Sequence, residues 1–202
     1  MAFGNGYCQY ETGYPAGNNY CGGFALCAIL NDINSEMGVP LLKPLDIYNQ
    51  VQEKQKGLED PLAGLIKEKS KGSKTNICLP SSLARCAEKD YQVKNPVILY
   101  SKGWDMHIDI IQASCREYMN TDIVGSDDWK SRINDEAFKY FLFLVQDDNH
   151  WIAVKHKDDG NFLVYDPADG NEVEKDKAEI ASYLMDTKNE GKPINLVIYF
   201  EK

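Results

Sequence analysis

Apolar and polar positions change rhythm along this chain, and the changes predict its elements. From 21 to 33, Phe24, Leu26, Ile29, Leu30 and Ile33 leave almost no polar face, so a helix buried nearly all round is expected there. The twenty residues before it are rich in Gly, Tyr and Asn and predict irregular chain. Pro44-Leu45-Asp46-Ile47-Tyr48-Asn49-Gln50-Val51 predicts a second helix with proline in its first turn. A short third helix is expected over Pro61–Glu68 on Leu62, Leu65 and Ile66, and an exposed loop over Lys67–Lys74. Pro80–Lys89 opens with Pro-Ser-Ser, which suits a helix start, and Pro96–Tyr100 reads as a compact strand. Asp105–Tyr118 is helical in period through Ile108, Ile110, Ile111 and Cys115.

The last third has a different pattern. Tyr140–Val145 is a strand run, Gln146–Asn149 turns the chain, and His150–His156 returns as a second strand. Asp158-Asp159-Gly160-Asn161 is a hairpin turn into Phe162–Tyr165, and Asp166–Gly170 is another turn. A helix over Lys177–Met185 and a strand over Ile194–Phe200 follow. Helices first and strands second predict an α+β fold in a single domain over 1–202, with a helical lobe to about 135 and an antiparallel sheet lobe from about 136.

That geometry has a chemical consequence. Strands joined by the Asp158–Asn161 turn pair antiparallel, so the start of one faces the end of the other. His150 opens the first and Asp166 closes the second, which puts both at one edge of the sheet if the register is unshifted. Cys21 stands where the irregular segment meets the buried helix. A thiol at a helix N-terminus meets free N–H donors and the positive end of the dipole, which favour thiolate. A cysteine nucleophile needs a base that takes and returns its proton and a group that fixes the imidazole tautomer, roles that suit Cys21, His150 and Asp166. The Cys21 backbone N–H would face the developing oxyanion, and Asn18, Asn19 or Gln9 could add a side-chain amide.

Other titratable groups read more plainly. Cys27, Cys86 and Cys115 lie in helical patterns and are expected as small buried hydrophobes. His156 precedes a charged turn and is read as solvated, while His107 sits at a helix start without a carboxylate-bearing turn to orient it. The six cysteines include no Cys-x-x-Cys pair and the histidines are scattered, which argues against a zinc site; no metal or cofactor is implied. Reduced thiols are expected.

Charge narrows the partners. Acidic residues number 31 against 22 basic ones, the wrong balance for binding a phosphate backbone, so nucleic acid is not an expected partner. The longest apolar runs, Phe24–Leu30 and Tyr140–Val145, are too short to span a bilayer. The first seven residues lack the basic and apolar regions of a Sec signal. The chain is therefore expected in the cytoplasm, or exported by a specialised route without such a signal.

These residues resemble a known family. Asn19-Tyr20-Cys21-Gly22-Gly23-Phe24-Ala25-Leu26 is similar to the nucleophile segment of papain-like cysteine peptidases. His150-Trp151-Ile152-Ala153-Val154 and Val164-Tyr165-Asp166-Pro167 are similar to their His/Asp segment. The style is nearest to bacterial members, such as bacteriocin-leader peptidases and papain-fold effector enzymes. The resemblance implies a helical lobe carrying Cys21, a sheet lobe carrying His150 and Asp166, and a cleft site for a protein or peptide substrate. The stretch from about 40 to 135 carries none of the likeness. Such peptidases usually place an oxyanion glutamine six residues before the cysteine, where this chain has Pro15. The leading expectation is a thiol hydrolase cleaving a peptide or isopeptide bond. The alternatives are a papain-fold effector acting as a glutamine deamidase or deubiquitinase-like enzyme, and a catalytically silent binding module.

Overall fold

The computed structural model of the chain describes residues 3–11, 13–14, 19–56, 78–101, 114–115, 118, 121–124, 128–145, 150–186 and 196–201. Helix α1 spans Cys21–Glu36, and its residues from Cys21 to Asn31 are buried without a break, as an all-round apolar pattern requires. It runs three residues past the apolar period. The Met37 and Val39 N–H groups then close on carbonyls of the last turn, with Gly38 at a positive φ of 69° between them. Asn31, a polar residue inside this buried helix, acts as a false strand partner. Its Oδ1 accepts the Leu42 N–H at 2.6 Å and its Nδ2 donates to the Leu42 carbonyl at 3.1 Å, tying down the approach to helix α2, Pro44–Lys56. Helix α3, Pro80–Arg85, follows with proline in its first turn and continues into a π-helical turn over Cys86–Asp90.

One seven-stranded sheet carries the rest. Its strands are β1 (Val97–Ser101), β2 (Thr121–Val124), β3 (Phe138–Val145), β4 (His150–His156), β5 (Phe162–Asp166), β6 (Asn171–Lys175) and β7 (Leu196–Glu201). They lie in the order β2-β1-β7-β3-β4-β5-β6, and β1 pairs β2 in parallel while the other neighbours pair antiparallel. Helices α4 (Asp128–Ile133) and α5 (Lys177–Asp186) complete the described elements. The fold is α+β.

The sheet separates two cores, and the period of two along each strand decides which side chain joins which. Trp151, Ala153 and Tyr165 lie in the core built with α1, α2 and α3. Ile152, Val154, Phe162 and Val164 lie in the core built with Ile180 and Leu184 of α5. At its far end α1 is pinned to the sheet: Asp32 Oδ2 accepts the Tyr140 hydroxyl at 2.6 Å and pairs with Lys155 Nζ at 2.6 Å.

Several expectations are revised. The sheet is not confined to the residues after 135, since β1 and β2 extend it, and β2 makes it mixed rather than purely antiparallel. The polar strand β6 was not expected, because its residues Asn171-Glu172-Val173-Glu174-Lys175 are all exposed or half-exposed and show no apolar face. Charge along an outer strand is what keeps such an edge from pairing with another chain. Helix α4 was not anticipated either. The expected helix over 61–68, the loop over 67–74 and the turn over 146–149 lie outside the described residues, as does most of the expected helix over 105–118.

Candidate active site

Cys21 is the first residue of α1, and the two glycines after it explain why the helix can start there. A Cβ on Gly23 would sit 2.6 Å from Tyr48 Cβ and 2.7 Å from Tyr48 Cα, so α2 presses its backbone against the first turn. A Cβ on Gly22 would sit 2.4 Å from Cys78 Cβ and 3.1 Å from Trp151 Cδ1. No side chain caps the helix at Tyr20. The sulfur of Cys78 packs against this first turn instead, a thiol that burial holds well above its ordinary pKa. Trp151 ties this layer to the sheet by donating its indole N–H to the Cys78 carbonyl at 3.0 Å.

Strand pairing supplies the rest of the site. Ala153 stands opposite Tyr165 in the β4–β5 register. One step further Asp166 would face Ile152, and His150 lies two residues along, so the two are diagonal neighbours at the rim. His150 Nε2 and Asp166 Oδ1 are 2.6 Å apart. Asp166 is itself held by its turn: Oδ1 also accepts the Ala168 N–H at 2.8 Å, and its carbonyl accepts the Gly170 N–H at 2.9 Å. Gly170 closes this turn at a φ of 72°, where a side chain would be strained.

The thiol and the imidazole meet. Cys21 lies near enough to His150 to act on the imidazole, and with Nε2 given to Asp166 the ring nitrogen left for a further partner is Nδ1. Burial is the largest influence on His150 and lowers its pKa. Hydrogen bonds and charge from Asp166 and Cys21 outweigh it and lift the imidazole to about 9. At neutral pH the ring is thus a buried imidazolium between a carboxylate and a sulfur. Cys21 and His150 are only 4% and 6% exposed, so the pair is largely removed from bulk water.

Of the three amides considered for the oxyanion, two fall among the described residues. Asn19 is exposed two residues before Cys21, while Asn18 lies outside them. Gln9 is buried at 6% exposure, and its backbone N–H donates to the Pro167 carbonyl at 2.8 Å, against the turn that carries Asp166. Its Oε1 has no hydrogen-bond partner among the described residues. One end of a buried amide is thus left unanswered beside the turn that carries Asp166.

The remaining groups stay apart from this cluster. His156 is half-buried with its ring stacked on Phe162 at 4.8 Å, not solvated as its neighbours implied, and His107 lies outside the described residues. All six cysteines are free thiols. Burial lifts Cys27 and Cys86 to about 12 and Cys115 higher still, as small core residues. Sequence reasoning missed Cys78, which nothing distinguishes from other core cysteines until Gly22 is seen packed on it. It also missed the N-terminal residues that grip the Asp166 turn, where no periodicity marks an irregular segment. Among the described residues no helix is long and apolar enough to cross a membrane. A comparison with protein-family models finds no matching family, and a search of curated proteins finds no match.

Proposed function

We propose that the chain is a cysteine hydrolase of the papain-like kind, cleaving a peptide or isopeptide bond through Cys21, His150 and Asp166. The observation that carries this reading is the 2.6 Å His150–Asp166 pair with Cys21 acting on the same imidazole, gathered at the junction of α1 with the rim of β4 and β5. A structural histidine needs one satisfied partner; an imidazolium held between a carboxylate and a thiol has the arrangement of a primed nucleophile. A helix carrying the thiol and packed on the sheet that carries the base is also the arrangement the family resemblance implies.

In the proposed reaction His150 holds the Cys21 proton on Nδ1 while sulfur attacks the carbonyl carbon. The tetrahedral oxyanion is met by the Cys21 backbone N–H at the helix start and by the side-chain amide of Gln9. Collapse expels the amine, which takes the proton from Nδ1, and leaves a thioester on Cys21. Water then attacks the thioester, giving its proton to His150, and collapse releases the acid and expels the Cys21 sulfur as thiolate beside the imidazolium. Asp166 keeps Nε2 protonated throughout and so leaves Nδ1 for the chemistry.

The test is digestion of a proteome-derived peptide library and of folded ubiquitin conjugates by the wild type, Cys21→Ala and His150→Ala proteins, read by mass spectrometry. New termini from the wild type alone are expected. An amide-to-acid mass gain without new termini would redirect the reading to a deamidase. Products that persist in Cys21→Ala would overturn the assignment.

A further inference from the structure

We propose that the segment Phe3–Gln9 is a positioning strap for the active site, pinned by Tyr165 and Glu172, which fixes Asp166 against His150 and holds Gln9 beside them. The proposal rests on the reading of Cys21, His150 and Asp166 as a thiol-nucleophile site.

Tyr165 and Glu172 are cross-strand neighbours in the β5–β6 register, one residue before Asp166 and one after its partner Asn171. Both grip the strap. Tyr165 lays its ring where a Gly4 Cβ would be, 2.0 Å from that position, and donates its hydroxyl to the Tyr7 carbonyl at 2.6 Å. Glu172 Oε1 accepts the Gly4 N–H at 2.5 Å. Two further contacts fall on the turn itself: Cys8 Sγ donates to the Ala168 carbonyl at 3.2 Å, and the Gln9 N–H donates to the Pro167 carbonyl at 2.8 Å. Phe3, 2% exposed, anchors the other end on the ring of Tyr140, the residue that also bonds Asp32 of α1.

The strap has no helix or strand of its own, so these contacts hold it. Three successive carbonyls or amides of the Asp166–Gly170 turn are engaged by it or by Asp166 itself, which leaves the carboxylate little freedom to swing. A mere cover over Tyr165 would need the ring contact with Gly4 but not the hydroxyl bond to Tyr7. Burial keeps that phenol protonated, so it remains a donor at every working pH.

The distinguishing experiment removes the pins and watches His150. Tyr165→Phe keeps the ring and loses the hydroxyl, and Glu172→Ala releases the Gly4 end if the first variant folds poorly. The His150 ring is followed by NMR titration of histidine-labelled full-length protein, assigned with His150→Ala. A wild-type midpoint near 9 is expected. Each variant should lower it by up to about one pH unit, the worth of one loosened charge-assisted hydrogen bond. A wild-type midpoint near 9 that stays unchanged in both variants overturns the strap alone. A wild-type midpoint near the ordinary histidine value overturns the site reading and the strap with it.

Discussion

Replacing Asp166 by asparagine probes the relay at the bond that fixes its proton. The carboxylate lies 2.6 Å from His150 Nε2, and it is one of the two partners that raise a buried imidazole to about 9 when burial would lower it. Asparagine keeps the size of the side chain and an oxygen for the Ala168 N–H, so the Asp166–Gly170 turn should survive. A hydrogen bond to a charged group contributes about 1.5–3 kcal/mol, and one pKa unit is about 1.4 kcal/mol, so the His150 midpoint should fall by roughly one to two units. The sign for stability follows from the raised pKa. The contribution of protonated His150 is fully present below its unfolded value near 6.5 and is lost as pH rises through about 9. Asp166→Asn should therefore destabilise more in acid than in base. Urea unfolding at about pH 6 and about pH 10 should show a difference in destabilisation of about 1.5–3 kcal/mol between the two. Equal losses at both values would mean that Asp166 acts only through its turn and that the imidazolium pair is absent.

Two further outcomes bear on the packing around Cys21. Gly23→Ala should lower stability by about 1–3 kcal/mol, because its Cβ would meet the Tyr48 backbone rather than a side chain able to move; an unchanged thermal midpoint in calorimetry would show that α2 can retreat. Brief alkylation of the native protein at neutral pH, with peptide mapping, should modify Cys21 ahead of the other buried cysteines. It should leave Cys27 and Cys86, which burial lifts to about 12, untouched until unfolding; equal labelling of Cys27 would contradict the core described here.

Much of the site was legible because it depends on short-range rules. An antiparallel hairpin with a strong turn brings its outer residues together whatever surrounds it, so His150 and Asp166 could be paired from the Asp158–Asn161 turn alone. Cys21 could be placed because an all-apolar run must begin somewhere, and it begins at the thiol. What stayed hidden depends on long-range packing or on polar strands. Strand β6 shows no apolar alternation because none of its residues is buried, and among the described strands β2 pairs only with β1. The position of Gln9 could not be decided by counting back from Cys21, since it is set by Pro167, far away in sequence.

The Cys-Gly-Gly start of α1 shows why chemistry and packing are hard to separate here. Gly22 and Gly23 are not spacers: the space each leaves is filled by Cys78 and Tyr48, from two different parts of the chain. That filling presses the first turn of α1 between α2 and Trp151, and Trp151 is the immediate neighbour of His150. The thiol is therefore located by contacts made one and two residues after it, and the imidazole by a contact made one residue after it. Both sets of contacts meet at Cys78. A side chain added at Gly22 would push on Cys78 and Trp151 together, so it would move sulfur and imidazole relative to one another, and it would do so without touching either.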